Sequence, residues 1–134
     1  MTVPMVRGSK VFYADTFKLV GNGGEGSCTW NGYTVWNAAS YLITGSVTVK
    51  QGGKIDFFIL NQTQFAKWTS SWLNGGNRRG GSCAVWRPTP PTDVAVLGIT
   101  NYSVSYVVPD NANHTFVFFN AYIDDATVTV SLAW

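Results

Sequence analysis

The stretch Ser46–Asn61, SVTVKQGGKIDFFILN, decides how this chain is read. Its first half alternates, with Val47 and Val49 on one side and Ser46, Thr48 and Lys50 on the other. That period of two is the mark of a strand with one wet face. Gln51-Gly52-Gly53 then reads as a turn. The second half abandons alternation: Ile55, Phe57, Phe58, Ile59 and Leu60 leave no polar face except through Asp56. A short apolar run bounded by turn residues is a strand covered on both sides. The chain therefore places a half-wet strand next to a fully buried one.

Working outward, the same two classes recur. Lys10–Leu19 sets Val11, Tyr13, Phe17 and Leu19 on one face, with Asp15 as the exception. Cys28–Trp36 holds Asn31-Gly32, a pair that signals a hairpin. Ser40–Val49 continues as a strand, with Gly45 read as a bulge. Tyr102, Val104, Tyr106 and Val108 share one face, and Pro109–Asn113 turns the chain. His114–Asn120, HTFVFFN, is apolar on both faces like the run at Phe57. The last strand alternates cleanly, with Val128, Val130, Leu132 and Trp134 inward and Thr127, Thr129 and Ser131 outward. Helical spacing occurs once, where Phe65, Trp68 and Trp72 recur at three and four residues, which predicts a short helix of a turn or two near 62–73. The loops are Gly21–Ser27, the Gly-rich Asn74–Ser82 and the Pro-rich Arg87–Thr92. About eight short strands with turn signals between them predict an all-β fold: an antiparallel, jelly-roll-like β-sandwich over residues 1–134, with the doubly apolar strands central.

Composition narrows the function. The chain has 134 residues, 46% of them hydrophobic and 15% aromatic, but only 12% charged, with a net charge of +2. So small a charge does not point to nucleic acid or to an anionic membrane. No run is long enough for a transmembrane helix. Met1–Lys10 has no apolar run of the kind a secretory leader carries, so export through a removed leader and a virion component needing none are both open. Ser, Thr, Asn and Gly supply the polar surface, which suits an extracellular protein and lets like subunits pack without charge repulsion. In an oxidising compartment Cys28 and Cys83 would close a loop of about 55 residues, contributing on the order of 4 kcal/mol in the chain-entropy picture. In a cytosolic protein they would be two buried thiols; the extracellular character of the composition favours the disulfide.

The order of segments also resembles a known family. YLITGSVTVKQGGKIDFFILNQTQFAKW (Tyr41–Trp68), followed by SVSYVVPDNANHTFVFFNAYIDDATVTVSL (Ser103–Leu132), is similar to GOLD-like, emp24-type β-sandwich domains of archaeal and bacterial surface proteins. The likeness implies a binding, adhesion or assembly module with no catalytic residues to carry across. Residues 61–99 depart from the compact pattern, so a specialised role would lie there.

Few residues offer chemistry. The single histidine, His114, follows a turn and reads as a surface or capping residue. Asp124-Asp125, joined by Asp110 or Asn111, could supply oxygens to calcium, but turn-forming aspartates explain them better. Nothing in the spacing sets two carboxylates across a cleft or makes a nucleophile elbow, and no cofactor is implied. Trp68, Trp72 and Trp86, with Arg78 and Arg79, form a candidate binding loop for a protein or a sugar. Asn61, Asn101 and Asn113 begin glycosylation sequons. The segment Thr2–Phe17 is long enough to complete a neighbour's sheet. These features lead to an expectation of a non-enzymatic extracellular or virion-surface protein. It would work by assembly with itself or with another surface protein, as a filament or coat subunit. A carbohydrate-binding module and an accessory domain of a secreted enzyme are the alternatives.

Overall fold

A computed structural model describes residues 10–21, 29–75 and 94–134. The elements follow in the order β1 (Val11–Leu19), β2 (Thr29–Asn37), β3 (Leu42–Gly52), β4 (Ile55–Asn61), α1 (Gln62–Gly75), β5 (Val94–Ile99), β6 (Asn101–Val107), β7 (Ala112–Asn120) and β8 (Ala126–Ala133). The strands form two four-stranded antiparallel sheets, ordered β1-β8-β3-β6 and β2-β7-β4-β5. Strands paired from opposite ends of the chain, first with eighth through fourth with fifth, make one long ribbon rolled into a sandwich, which is the jelly roll. The helix α1 follows β4 at the apex of that ribbon, on the path to β5.

The doubly apolar strands are central in one sheet because they are covered twice. Ile55, Phe57 and Ile59 of β4 and Phe116 and Phe118 of β7 face the other sheet and pack with Val47, Val104, Val128, Val130 and Leu132. Phe58, Leu60, Val117 and Phe119 face away from it and pack under α1 against Trp68, with Trp30 and Phe65 at the margin. Each ring removed from water contributes about 1.5–3 kcal/mol, so a run apolar on both faces is stable only beneath a third layer. The helix supplies that layer. It runs 14 residues, longer than a turn or two, and starts on a reciprocal cap. Asn61 Oδ1 accepts the Gln64 backbone N–H at 2.8 Å, and Gln64 Oε1 accepts that of Asn61 at 3.0 Å.

Three local expectations are corrected. Asn31-Gly32 makes no hairpin; β2 is one strand paired with β7 along its whole length. A hairpin needs flanking segments that pair with each other, and here both pair with a third. Gly45 is no bulge: it lies in register between Val104 and Leu132, and the register shift of β3 falls between Val49 and Gln51. Gly45 is required instead by close approach, since a Cβ there would lie 1.9 Å from the Ser131 carbonyl oxygen. His114 is fully buried, not a surface residue; its ring meets Tyr106 edge-on with centroids 6.0 Å apart.

Candidate functional site

The four strands β1, β8, β3 and β6 carry one outward surface, and the register writes its pattern. One row reads Thr16, Thr129, Thr48, Asn101; the next Ala14, Ser131, Ser46, Ser103; a third Ala133, Thr44, Ser105. Rows follow one another along the strands at about 6.7 Å, and neighbours within a row stand about 4.8 Å apart. Each of these side chains is small. Charge appears only beyond the Thr16 row, at Lys18 and Lys50. The hydroxyls meet each other within the face: Thr16 Oγ1 and Thr129 Oγ1 are 3.0 Å apart, and Thr48 Oγ1 donates to Asn101 Oδ1 at 3.4 Å. The inward residues of the same strands are mostly Val, Leu, Ile, Tyr and Phe, with Asp15 on the edge strand the charged exception, so alternation builds most of this array. The outward face of the other sheet carries the helix instead.

The predicted site residues fall elsewhere. Trp68 is 3% exposed at the centre of the core beneath α1. It is a packing residue and offers no surface to a ligand, which corrects its place in a binding loop. The helical spacing that singled it out reported its burial. Trp72 falls on α1, with its side chain outside the described set. Arg78, Arg79, Trp86, Cys28 and Cys83 lie outside the described residues, so the disulfide and the Arg-bearing loop do too. Asn101 and Asn113 are exposed; Asn61 serves as the helix cap. Among the described residues the exposed large ring is Trp36, 56% accessible near the end of β2, which the sequence does not single out because its alternation matches that of Trp30, half-buried against the helix. Of the proposed donor segment Thr2–Phe17, the part from Lys10 onward pairs within its own chain. Lys10 and Trp134 exchange backbone hydrogen bonds at 3.2 and 3.1 Å, and β1 continues along β8.

The carboxylates act structurally. Asp56 is fully buried and accepts hydrogen bonds from the Tyr122 hydroxyl at 2.5 Å and the Gly98 backbone N–H at 2.9 Å. The β4–β5 register shifts between Ile55 and Phe57, and Gly98 takes φ 64°, which turns its N–H onto the carboxylate. Lys54 Nζ lies 5.1 Å from the Tyr122 ring centroid. Asp125 accepts from the Gly21 N–H at 2.8 Å and pairs with Lys18 at 3.2 Å, and those contacts hold its carboxyl below the usual range. Asp110 and Asp124 flank opposite ends of the nine-residue β7, roughly 25 Å apart, so the two turns do not meet in one calcium site. Among the described residues no cluster of three or more metal-ligating side chains forms, and no helix is long and apolar enough to cross a membrane.

Compared with protein-family models and with curated proteins, the chain matches none.

Proposed function

We propose that this protein is a non-enzymatic subunit of an extracellular or virion surface, acting by assembly with copies of itself or with another surface protein. The observation that carries this reading is the uncharged Ser/Thr array spanning all four strands of the sheet β1-β8-β3-β6. Such a face presents donors and acceptors at most positions and almost no net charge, so a second protein surface can approach it without desolvating ions. The likeness of Tyr41–Trp68 and Ser103–Leu132 to GOLD-like surface domains points the same way, as does the low-charge composition. A disulfide between Cys28 and Cys83 fits the extracellular setting. A carbohydrate-binding role would have to use residues other than Trp68, since that ring is closed beneath the helix.

Sedimentation velocity from dilute to concentrated solution, with negative-stain microscopy of the concentrated sample, tests the proposal. Dimers, rings or filaments that grow with concentration are expected. A strict monomer throughout overturns assembly with itself and leaves only a different surface protein as the partner.

A further inference from the structure

Four strands form the lateral edges of the two sheets: β1, β6, β2 and β5. Three are occupied or interrupted. β1 and β2 lean together along one flank, where Tyr13 stacks on Tyr33 with centroids 4.4 Å apart and the Tyr33 hydroxyl donates to the Phe12 carbonyl at 3.4 Å. β1 also carries Asp15, Lys18 and a register shift. β5 is broken by the bulge at Gly98. Among the described residues β6 has none of these features. It contains no charge, no proline and no bulge, and its seven residues pair with β3 in unbroken register. Sheet edges of that kind are what other strands add to.

The polarity of this edge follows from the hydrogen bonds at its two ends. Val49 N–H donates to Thr100 O at 2.8 Å, and Val108 N–H donates to Tyr41 O at 2.9 Å. Both bonds belong to the β3–β6 register, in which Leu42 opposes Val107 and Thr48 opposes Asn101. In an antiparallel ladder hydrogen-bonded residues alternate with residues whose groups point the other way. Tyr102, Val104 and Tyr106 therefore bond to β3. Asn101, Ser103, Ser105 and Val107 turn their N–H and C=O groups outward, and all four are exposed.

The sequence of this edge reads the same in both directions: Tyr102-Ser103-Val104-Ser105-Tyr106 is a palindrome. An antiparallel two-fold pair centred on Val104 sets Ser103 against Ser105 of the second copy, Tyr102 against Tyr106, and Val104 against itself. It also sets Asn101 against Val107. The outward-pointing groups then meet only one another, giving about eight backbone hydrogen bonds. Like rings oppose on one face and like hydroxyls on the other, with no charge brought together. A two-fold interface requires this self-complementarity.

We propose that β6 is a self-pairing edge through which two copies of this chain join their β1-β8-β3-β6 sheets into one eight-stranded sheet, with Val104 on the two-fold axis. This rests on the assembly reading and names the edge and the partner. A single seven-residue edge buries less than a standard interface, so the pairing is concentration-dependent.

Sedimentation velocity on the full chain and its variants tests it. Ser105→Pro removes an outward N–H and leaves every β3–β6 bond in place, as an edge proline can. The double variant Ser103→Lys with Ser105→Lys keeps the backbone and opposes like charges across the axis. The wild-type chain should shift from monomer to dimer or larger species with concentration; both variants should stay monomeric with thermal midpoints near wild type. If Ser105→Pro does not fold, the lysine variant gives the same readout. Mixing Ser103→Cys with Ser105→Cys fixes the register: the facing residues lie at about 5.5 Å between Cα atoms, within disulfide reach. Peptide mapping should show the 103–105 link in the mixture and no link at those positions in either variant alone. Variants that assemble like wild type, or a homotypic 103–103 link, overturn the β6 assignment and leave the assembly reading standing. A wild-type chain monomeric at every concentration overturns both the β6 pairing and assembly with itself.

Discussion

The two sheets share a topology and differ in what covers them. In β2-β7-β4-β5 the central strands are apolar on both faces, one face against the opposite sheet and one beneath α1. In β1-β8-β3-β6 the inner face is equally apolar, but the outer face is an open array of Ser, Thr and Ala. The comparison shows that burial in this fold comes in layers of unequal consequence. The inter-sheet layer is common to both sheets. The helix layer belongs to one. The hydroxyl face carries no apolar layer of its own among the described residues.

The inter-sheet layer should respond most. Phe118 is fully buried and meets Phe57, Phe17 and Tyr13, with ring centroids 5.4, 5.5 and 6.4 Å away. Phe118→Ala opens a cavity that the three rings, on β1 and β4, cannot close, and should cost about 3–5 kcal/mol in chemical denaturation. A smaller loss than Trp68→Ala produces would reverse the ranking of the layers. Trp68→Ala comes second, at about 2–4 kcal/mol, since Trp68 packs against Phe58, Phe119 and Trp30 in the layer under the helix and outside the layer between the sheets. Hydrogen exchange sharpens the contrast: the Trp68 variant should lose protection in α1 before β4 and β7, whereas the Phe118 variant should lose it throughout.

Gly98→Ala follows, at about 1–3 kcal/mol. The residue sits at φ 64°, where a side chain is strained, and its new Cβ would stand 3.3 Å from the Tyr122 hydroxyl. Displacing that hydroxyl disturbs the acceptor environment of buried Asp56. A variant as stable as wild type would show that the bulge does not position Asp56.

These ranks also show what was legible in the chain. IDFFILN and HTFVFFN announced two central strands by their lack of a polar face, because double burial is written locally. Phe65, Trp68 and Trp72 announced a helix by spacing. What Trp68 packs against is not written there: a ring at that spacing suits a binding surface as well as a cover over β4 and β7. Asn31-Gly32 read as a hairpin because turn propensity is local, whereas pairing with β7 is decided some eighty residues away. His114 read as exposed because a lone polar residue gives no clue to the sheet above it. The palindrome at Tyr102–Tyr106 takes its meaning from β6 being a sheet edge. Sheet order is a long-range property.

Tyr13 distinguishes the flank where the two sheets meet. Burial first, and then the charge of Asp15 with the hydrogen bond to it, pushes the Tyr13 hydroxyl from 10.0 up to about 12. A group held protonated in the fold contributes stability that is complete below its unfolded value and fades as pH rises through the folded one. Wild-type stability should therefore fall between pH 10 and 12, and Tyr13→Phe should flatten that limb. Asp125 works in the opposite sense: its lowered carboxyl gives stability lost on acidification, and Asp125→Asn should flatten the acid limb.

The smallest effect is expected on the hydroxyl face. Thr129 sits mid-strand in β8, flanked by Thr16 and Thr48, with its Oγ1 3.0 Å from that of Thr16. Thr129→Val keeps the β-branched shape that suits a strand and removes one solvent-accessible hydrogen bond, so stability should stay within about 0.5 kcal/mol. The same variant replaces a polar group by an apolar one at the centre of the array. If that face holds another molecule through its hydroxyls, association should weaken while folding does not. A loss of more than about 2 kcal/mol would place the Thr16–Thr129 contact among the interactions that hold the sheet together, and would remove the reason for reading this face as a surface kept for partners.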